Sequence, residues 1–339
     1  MSDARSASAV RQPSSTVTWL CCMVLIAAGV LRIASTHRLY TETIDEGYHL
    51  AAGMEWLTHG RYHYQMQHPP LSHVAAALLP YWNGVRSQGV TQINQEGTAI
   101  LHSRNRYWDD LAAARTGILI FYIGGCILVC AWGLRWFDPL TALAAVLIFS
   151  MIPSVLAHAG LVTTDMACAT GVLFALFAFL VWVEKPGVHT ALFLGIGLAA
   201  AVDSKFSSLL FIASSVFTLG LVVVLTGRVP LTILLRALNE RKWQLLLALT
   251  TAFLIIWSMY RFSLGAIVPN SGQHSSLNRL PAAMRETVSR LIEVRVPLSE
   301  MVKGLQFIKD HNLAGLGLFS AYPNRRLFDI KDALEETNR

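Results

Sequence analysis

Leu111–Leu134 reads LAAARTGILIFYIGGCILVCAWGL, twenty-four residues with a single charge, Arg115. Wound as an α-helix, such a run is about 36 Å long, and the hydrocarbon core of a bilayer is about 30 Å thick. It therefore reads as a transmembrane helix. Six more apolar runs flank it, at 16–36, 139–158, 163–183, 188–204, 206–226 and 244–260. The run at 188–204 is short for a span and is expected to be tilted or half-buried. The 339 residues are 54% hydrophobic and 14% charged, with a mean hydropathy of +0.47. A soluble domain carries nearer a quarter charged residues. The fold class is therefore all-α: a polytopic integral membrane protein with about seven transmembrane helices.

The net charge of +6 does not point to nucleic acid. The basic residues form no aromatic-interleaved patch, and many lie in short loops between apolar runs. Arg228, Arg236, Arg241 and Lys242 separate the last two spans, Arg135 follows the second, and Arg5 and Arg11 precede the first. A cytoplasmic N-terminus makes all of these segments cytoplasmic. The long loop 37–110 and the tail from 261 then face outward, the orientation expected in a bacterial inner membrane. Residues 1–15 are polar and read as a disordered N-terminus. Residues 16–260 form the transmembrane module, and 261–339 an outer C-terminal segment. The five cysteines, at 21, 22, 126, 130 and 168, lie in or beside apolar runs and behave as small hydrophobes.

The outer loop carries the chemistry. Asp45-Glu46 sits just beyond the first span, and Thr43 with Glu46 forms a capping-box pattern whose helix ends at Gly60. Ile44, Tyr48, Leu50, Ala51, Met54 and Leu57 give that helix an apolar face suited to the outer membrane surface. Asp45 and His49 are four apart and share a side. His68-Pro69-Pro70 then starts a second short helix, 71–79.

A carboxylate at a bilayer surface can act as general base on a hydroxyl, or hold a divalent cation. Glu46 has a sufficient structural task as a capping-box residue; Asp45 has none. Asp165, at the outer end of the fourth span, fits either a helix-start charge or a functional acid. Asp203 and Lys205 close the fifth span and either pair with each other or leave Lys205 to bind an anion. Arg115 lies on the same side; it either snorkels or, converging with Lys205, helps bind a phosphate, the reading two outward cations favour. Seven histidines face outward, and none has the spacing of a helical zinc motif. His68 stands out because Pro-Pro fixes its backbone.

The ordered set Asp45-Glu-Gly-Tyr-His49, His68-Pro-Pro-Leu71, Ala113-Ala-Arg115, Thr164-Asp-Met166, Ser204-Lys-Phe206 and Tyr260-Arg-Phe262 resembles the GT-C membrane glycosyltransferases. The nearest types are the protein O-mannosyltransferases and the lipid A aminoarabinose transferases. The likeness covers roughly 16–310. It implies a polyprenyl-phosphate-linked sugar as donor and an extracytoplasmic acceptor (protein, lipid or glycan). It assigns Asp45 as catalytic base and Asp165 as a second acid. It places His68, Arg115 and Lys205 near the carrier phosphate. Glu46 joins the catalytic set as the other half of the acidic pair, and a divalent metal is left open. Two departures matter. The family usually runs well beyond 339 residues, so the chain reads as C-terminally truncated. The aminoarabinose type has Lys where this chain has His68, which favours the mannosyltransferase side. A transporter and a non-catalytic truncated relative are the competing readings. Against the transporter, the charges gather at one face and no internal repeat is visible.

Overall fold

The computed structural model describes residues 14–262, apart from 63, 66, 228 and 229 and the side chains of 234 and 235. His63, Arg228, nearly all of the N-terminal segment and nearly all of the expected outer C-terminal segment lie outside the described residues. The described chain is helical, without strands. In order it runs α1 (Ser15–Ala34), α2 (Ile44–His59), α3 (Pro70–Trp82), α4 (Ile93–His102), α5 (Tyr107–Trp136), α6 (Pro139–Met151), α7 (Pro153–Ala159), α8 (Asp165–Glu184), α9 (Val188–Ser204), α10 (Ser208–Leu225), α11 (Leu231–Glu240) and α12 (Lys242–Met259).

Five helices are long and apolar enough to cross a membrane: α1, α5, α8, α10 and α12. The predicted third span is broken. Pro153 starts a new helix, and α6 and α7 meet at 64°, so together they make a bent sixth candidate. The predicted fifth span is α9, whose 17 residues fall just short of the others. It nevertheless runs the full length of α8. The two are joined by three residues at one end, and at the other Lys205 reaches Asp165. The expectation of about seven spans thus resolves into five clear spans, one bent pair and one short helix.

With little hydrophobic drive between helices in lipid, close backbone approach through small residues holds the bundle. Gly171 faces Ala201, Gly197 faces Ala175, Gly195 faces Ala248 and Gly133 faces Ala142. These contacts sandwich α9 between α8 and α12 and seat α6 on α5. Large apolar side chains on α10 and on the outer sides of α1 and α12 stay exposed, as lipid-facing surfaces do.

The outer loop folds onto one end of this bundle. α2 starts as expected, with the Thr43 N–H donating to Glu46 Oε2 at 2.8 Å, and Gly60 ends it in the left-handed region (φ 64°). Its apolar face does not simply rest on the membrane surface. Leu50, Ala51 and Met54 are buried in the protein core against α3 and its neighbours, because α3 and α4 fold over them. Pro70 starts α3 as anticipated, but the helix continues to Trp82. Helices α4 and α11 were not foreseen.

Gly53 is where α2 meets α3. A Cβ there would collide with the His73 carbonyl and the Ala77 side chain. Gly53→Ala is expected to destabilise the fold by about 1–3 kcal/mol. Gly124→Ala, where a Cβ meets only Thr170 Cγ2 at 3.5 Å, should be neutral or mildly stabilising. Thermal unfolding of the detergent-solubilised variants checks both.

Candidate functional site

The alternation of the helices brings the singled-out residues to one end. The end of α1, the start of α5, the end of α7, the start of α8 and the end of α9 all meet beneath α2 and α3. Arg135, Glu184, Lys185, Arg236 and Arg241 sit at the opposite end.

The acidic pair is divided. Glu46 is 1% exposed, as is Arg115, and the two form a bidentate ion pair, Nε to Oε1 and Nη2 to Oε2, both at 2.8 Å. The Val162 N–H also donates to Glu46 Oε1, at 3.0 Å. Burial pushes the Glu46 carboxyl up, but the bonds from Arg115 and from the Thr43 and Val162 N–H groups outweigh it and hold it below the usual carboxylate value. Arg115 spends its remaining donors on backbone: Nη1 on the carbonyls of His37 (2.7 Å) and Tyr40 (2.9 Å), and Nη2 on that of Thr41 (3.0 Å). A guanidinium has five N–H groups, and all five are used. In this geometry Arg115 offers nothing to a carrier phosphate, and Glu46 is not free to share a cation with Asp45.

Asp45, one residue earlier, is exposed. Its charge acts on the rings of His49 and His68, and so does that of Asp165. Asp165 opens α8 and accepts from Lys205 Nζ at 2.8 Å, with His158 Nδ1 at 3.6 Å. Lys205 therefore pairs across the bundle and not with Asp203, which is buried at 2% exposure with one carboxylate oxygen unpartnered. Lys205 in turn acts on His68. The structure thus gathers Asp45, Asp165, Lys205 and His68 into one half-exposed group, and turns Glu46 and Arg115 inward behind it.

Through His68 that group joins a set of rings beneath it, of which His49, His73 and Tyr62 carried no assigned role in the sequence reading. His49 stacks on His73 with centroids 4.7 Å apart, and His68 stands edge-on to His49 at 5.8 Å. The buried Tyr62 hydroxyl sits 2.5 Å from His73 Nδ1 and donates to the His68 carbonyl. Gln65 Oε1 lies 3.0 Å from His49 Nδ1. Burial lowers all three imidazoles, His73 most strongly. For His68 the Lys205 charge adds to the lowering, while Asp165 and Asp45 oppose it. The rings are neutral at pH 7. The sequence signals for this layer were the four-residue spacing of Asp45 and His49, the Pro-Pro after His68, and the placing of His73 among the outward histidines; Tyr62 gave none. Among the described residues, no three His, Cys, Asp or Glu side chains converge closely enough to hold a metal ion.

The arrangement defines a class: a helical membrane protein whose acids, cation and imidazoles converge at one end of the bundle. Residues 22–264 match the family model described as dolichyl-phosphate-mannose-protein mannosyltransferase, and the chain belongs to that family of GT-C membrane glycosyltransferases. No curated protein and no solved structure matches it. All six residues named above as catalytic or phosphate-binding candidates fall inside the matched range.

Two outcomes follow from this geometry. Arg115→Met leaves the Glu46 carboxylate buried and unpaired and should destabilise the fold by about 3–5 kcal/mol, the cost of breaking a buried pair from one side; Arg115→Lys keeps the charge but not the fork and should lose a smaller part of this. An Arg115→Met protein that melts with wild type would remove Arg115 from this role. The second concerns pH. His37, whose carbonyl Arg115 holds, has its imidazole lowered to about 4, by burial first and the Arg115 charge second. An imidazole lowered on folding binds protons in the unfolded chain first, so its contribution is complete above about pH 6.5 and is lost as pH falls toward 4. His49, His68 and His73 act with the same sign. Unfolding midpoints should fall between pH 7 and pH 4.5, and His37→Gln should flatten part of that fall.

Proposed function

We propose that this protein transfers a hexose, mannose by preference, from a polyprenyl-phosphate carrier to an acceptor hydroxyl outside the cytoplasm, with Asp45 as the base. The observation that carries this is the division of the acidic pair. Glu46 is consumed by Arg115, while Asp45 stands exposed with its charge acting on the imidazoles of His49 and His68. In this reading Asp45 takes the proton of the acceptor hydroxyl. The oxygen forms a bond to the anomeric carbon from the face opposite the phosphate, the anomeric C–O bond to phosphate breaks, and polyprenyl phosphate leaves with inversion. A phosphate carries its charge well, so what the site must supply is cationic stabilisation of the leaving group. Lys205 supplies the charge and His68 a neutral N–H. Asp165 positions Lys205 and yields it to the incoming phosphate. Arg115 and Glu46 support the site from behind without touching substrate. A protein acceptor and a dolichyl-type or other polyprenyl-type carrier follow the family's description, and the basic residues at the opposite end favour a cytoplasmic N-terminus with the site facing outward.

Transfer from polyprenyl-phosphate mannose, assayed on correctly inserted protein, tests this. Asp45→Asn should lower kcat by at least about a hundredfold. Lys205→Gln should weaken donor use, and both should leave thermal unfolding near wild type. Full transfer by Asp45→Asn would end the assignment. Solute flux in proteoliposomes without sugar transfer would favour a transporter.

A further inference from the structure

The bend between α6 and α7 opens a groove of about 430 Å³ against the end of α1. Its size lies in the range of small-ligand sites, about 300–1,000 Å³. Met151, Pro153, Leu156 and Ala157 form one wall, and Ile33, Thr36 and Tyr40 the other. Leu31, Ile148 and Ile152 are exposed around it, so the surface leading into it is apolar. At its edge stands Arg32, in the last turn of α1. Its recorded contact is Met151 Sδ at 3.6 Å, and it has no carboxylate partner among the described residues. Arg115 also lines the groove, but its five donors are already spent.

We propose that this groove is a binding site for an anionic bilayer phospholipid, its acyl chain lying between α1 and α7 and its phosphate on Arg32. An apolar slot ending in an unpaired guanidinium at the edge of a span complements a negatively charged amphiphile. A resident lipid fits better than the sugar carrier. No carboxylate lines the groove, so it holds no general base. The Arg115–Glu46 pair, with the Val162 N–H on it, separates the groove from Asp45. The groove still bears on that site. Tyr40, in its wall, gives its carbonyl to Arg115, and five residues later the chain reaches Asp45. A lipid there would brace the segment that delivers the base.

The test is lipid retention by the purified full chain, read by native mass spectrometry with phosphatidylglycerol, phosphatidylcholine and polyprenyl phosphate as probes. It does not depend on enzyme activity, so it stands apart from the proposed chemistry. Wild type should retain phosphatidylglycerol about fivefold over phosphatidylcholine, the effect of one cation near an anionic headgroup. Arg32→Gln should abolish the preference. Ala157→Phe, which fills the slot from an exposed position, should release the lipid while unfolding at the wild-type temperature; it carries the test if Arg32→Gln fails to fold. Equal retention of the two phospholipids by wild type, or an undiminished preference in Arg32→Gln, overturns the proposal. So does displacement of phosphatidylglycerol by polyprenyl phosphate that Ala157→Phe abolishes, since the groove would then be the carrier's.

Discussion

A buried guanidinium organises one end of this molecule. Arg115 enters from α5 and binds the Glu46 carboxylate of α2 together with the carbonyls of His37, Tyr40 and Thr41. The carboxylate then holds the N–H groups of Thr43 and Val162. One charge pair thus joins the segment after α1, the start of α2, the long span α5 and the turn before α8. Desolvating two charges is costly, and only dense hydrogen bonding offsets it. That density is met here because the same pair satisfies backbone groups that an irregular segment would otherwise leave unpaired away from water.

The pair also gives neighbouring positions opposite surroundings. Consecutive helical residues point about 100° apart, so when Glu46 turns inward Asp45 turns outward. The inward residue fixes α2, and the outward one is exposed, with its charge acting on His49 and His68. Beneath them the imidazoles are neutral because they are buried. A neutral ring can give or accept a hydrogen bond without adding charge to a site already balanced between Asp165 and Lys205.

Much of the fold was legible from the sequence because the runs are apolar throughout, and length alone marks a span. The capping box at Thr43, the stop at Gly60 and the helix start at Pro70 were legible because each follows from one residue's backbone chemistry. Pro153 carried the signal for the broken third span, but hydropathy averaged across it. Helix α4 was missed because its polar residues face outward and its buried Glu96 is used to tie the Ser87 hydroxyl and the N–H groups of residues 88–90, a task no pattern announces. In the site, Asp45, Asp165 and Lys205 were readable from position near span ends, and His68 from the Pro-Pro after it. The partners were not. Arg115 looked like a snorkelling or phosphate-binding cation until the carbonyls around it were seen, and pairing between residues 69 positions apart leaves no local trace.

The brevity of α9 has a consequence for the membrane itself. Seventeen helical residues cover about 25 Å, some 5 Å less than an ordinary hydrocarbon core. Flanked by longer helices, α9 cannot correct that mismatch by tilting, which only shortens its reach. Because Lys205 reaches Asp165 at the first residue of α8, the two helices are level at that end. The shortfall then falls at the Val188 end, to be met by local thinning of the bilayer or by the three-residue link to α8 entering it.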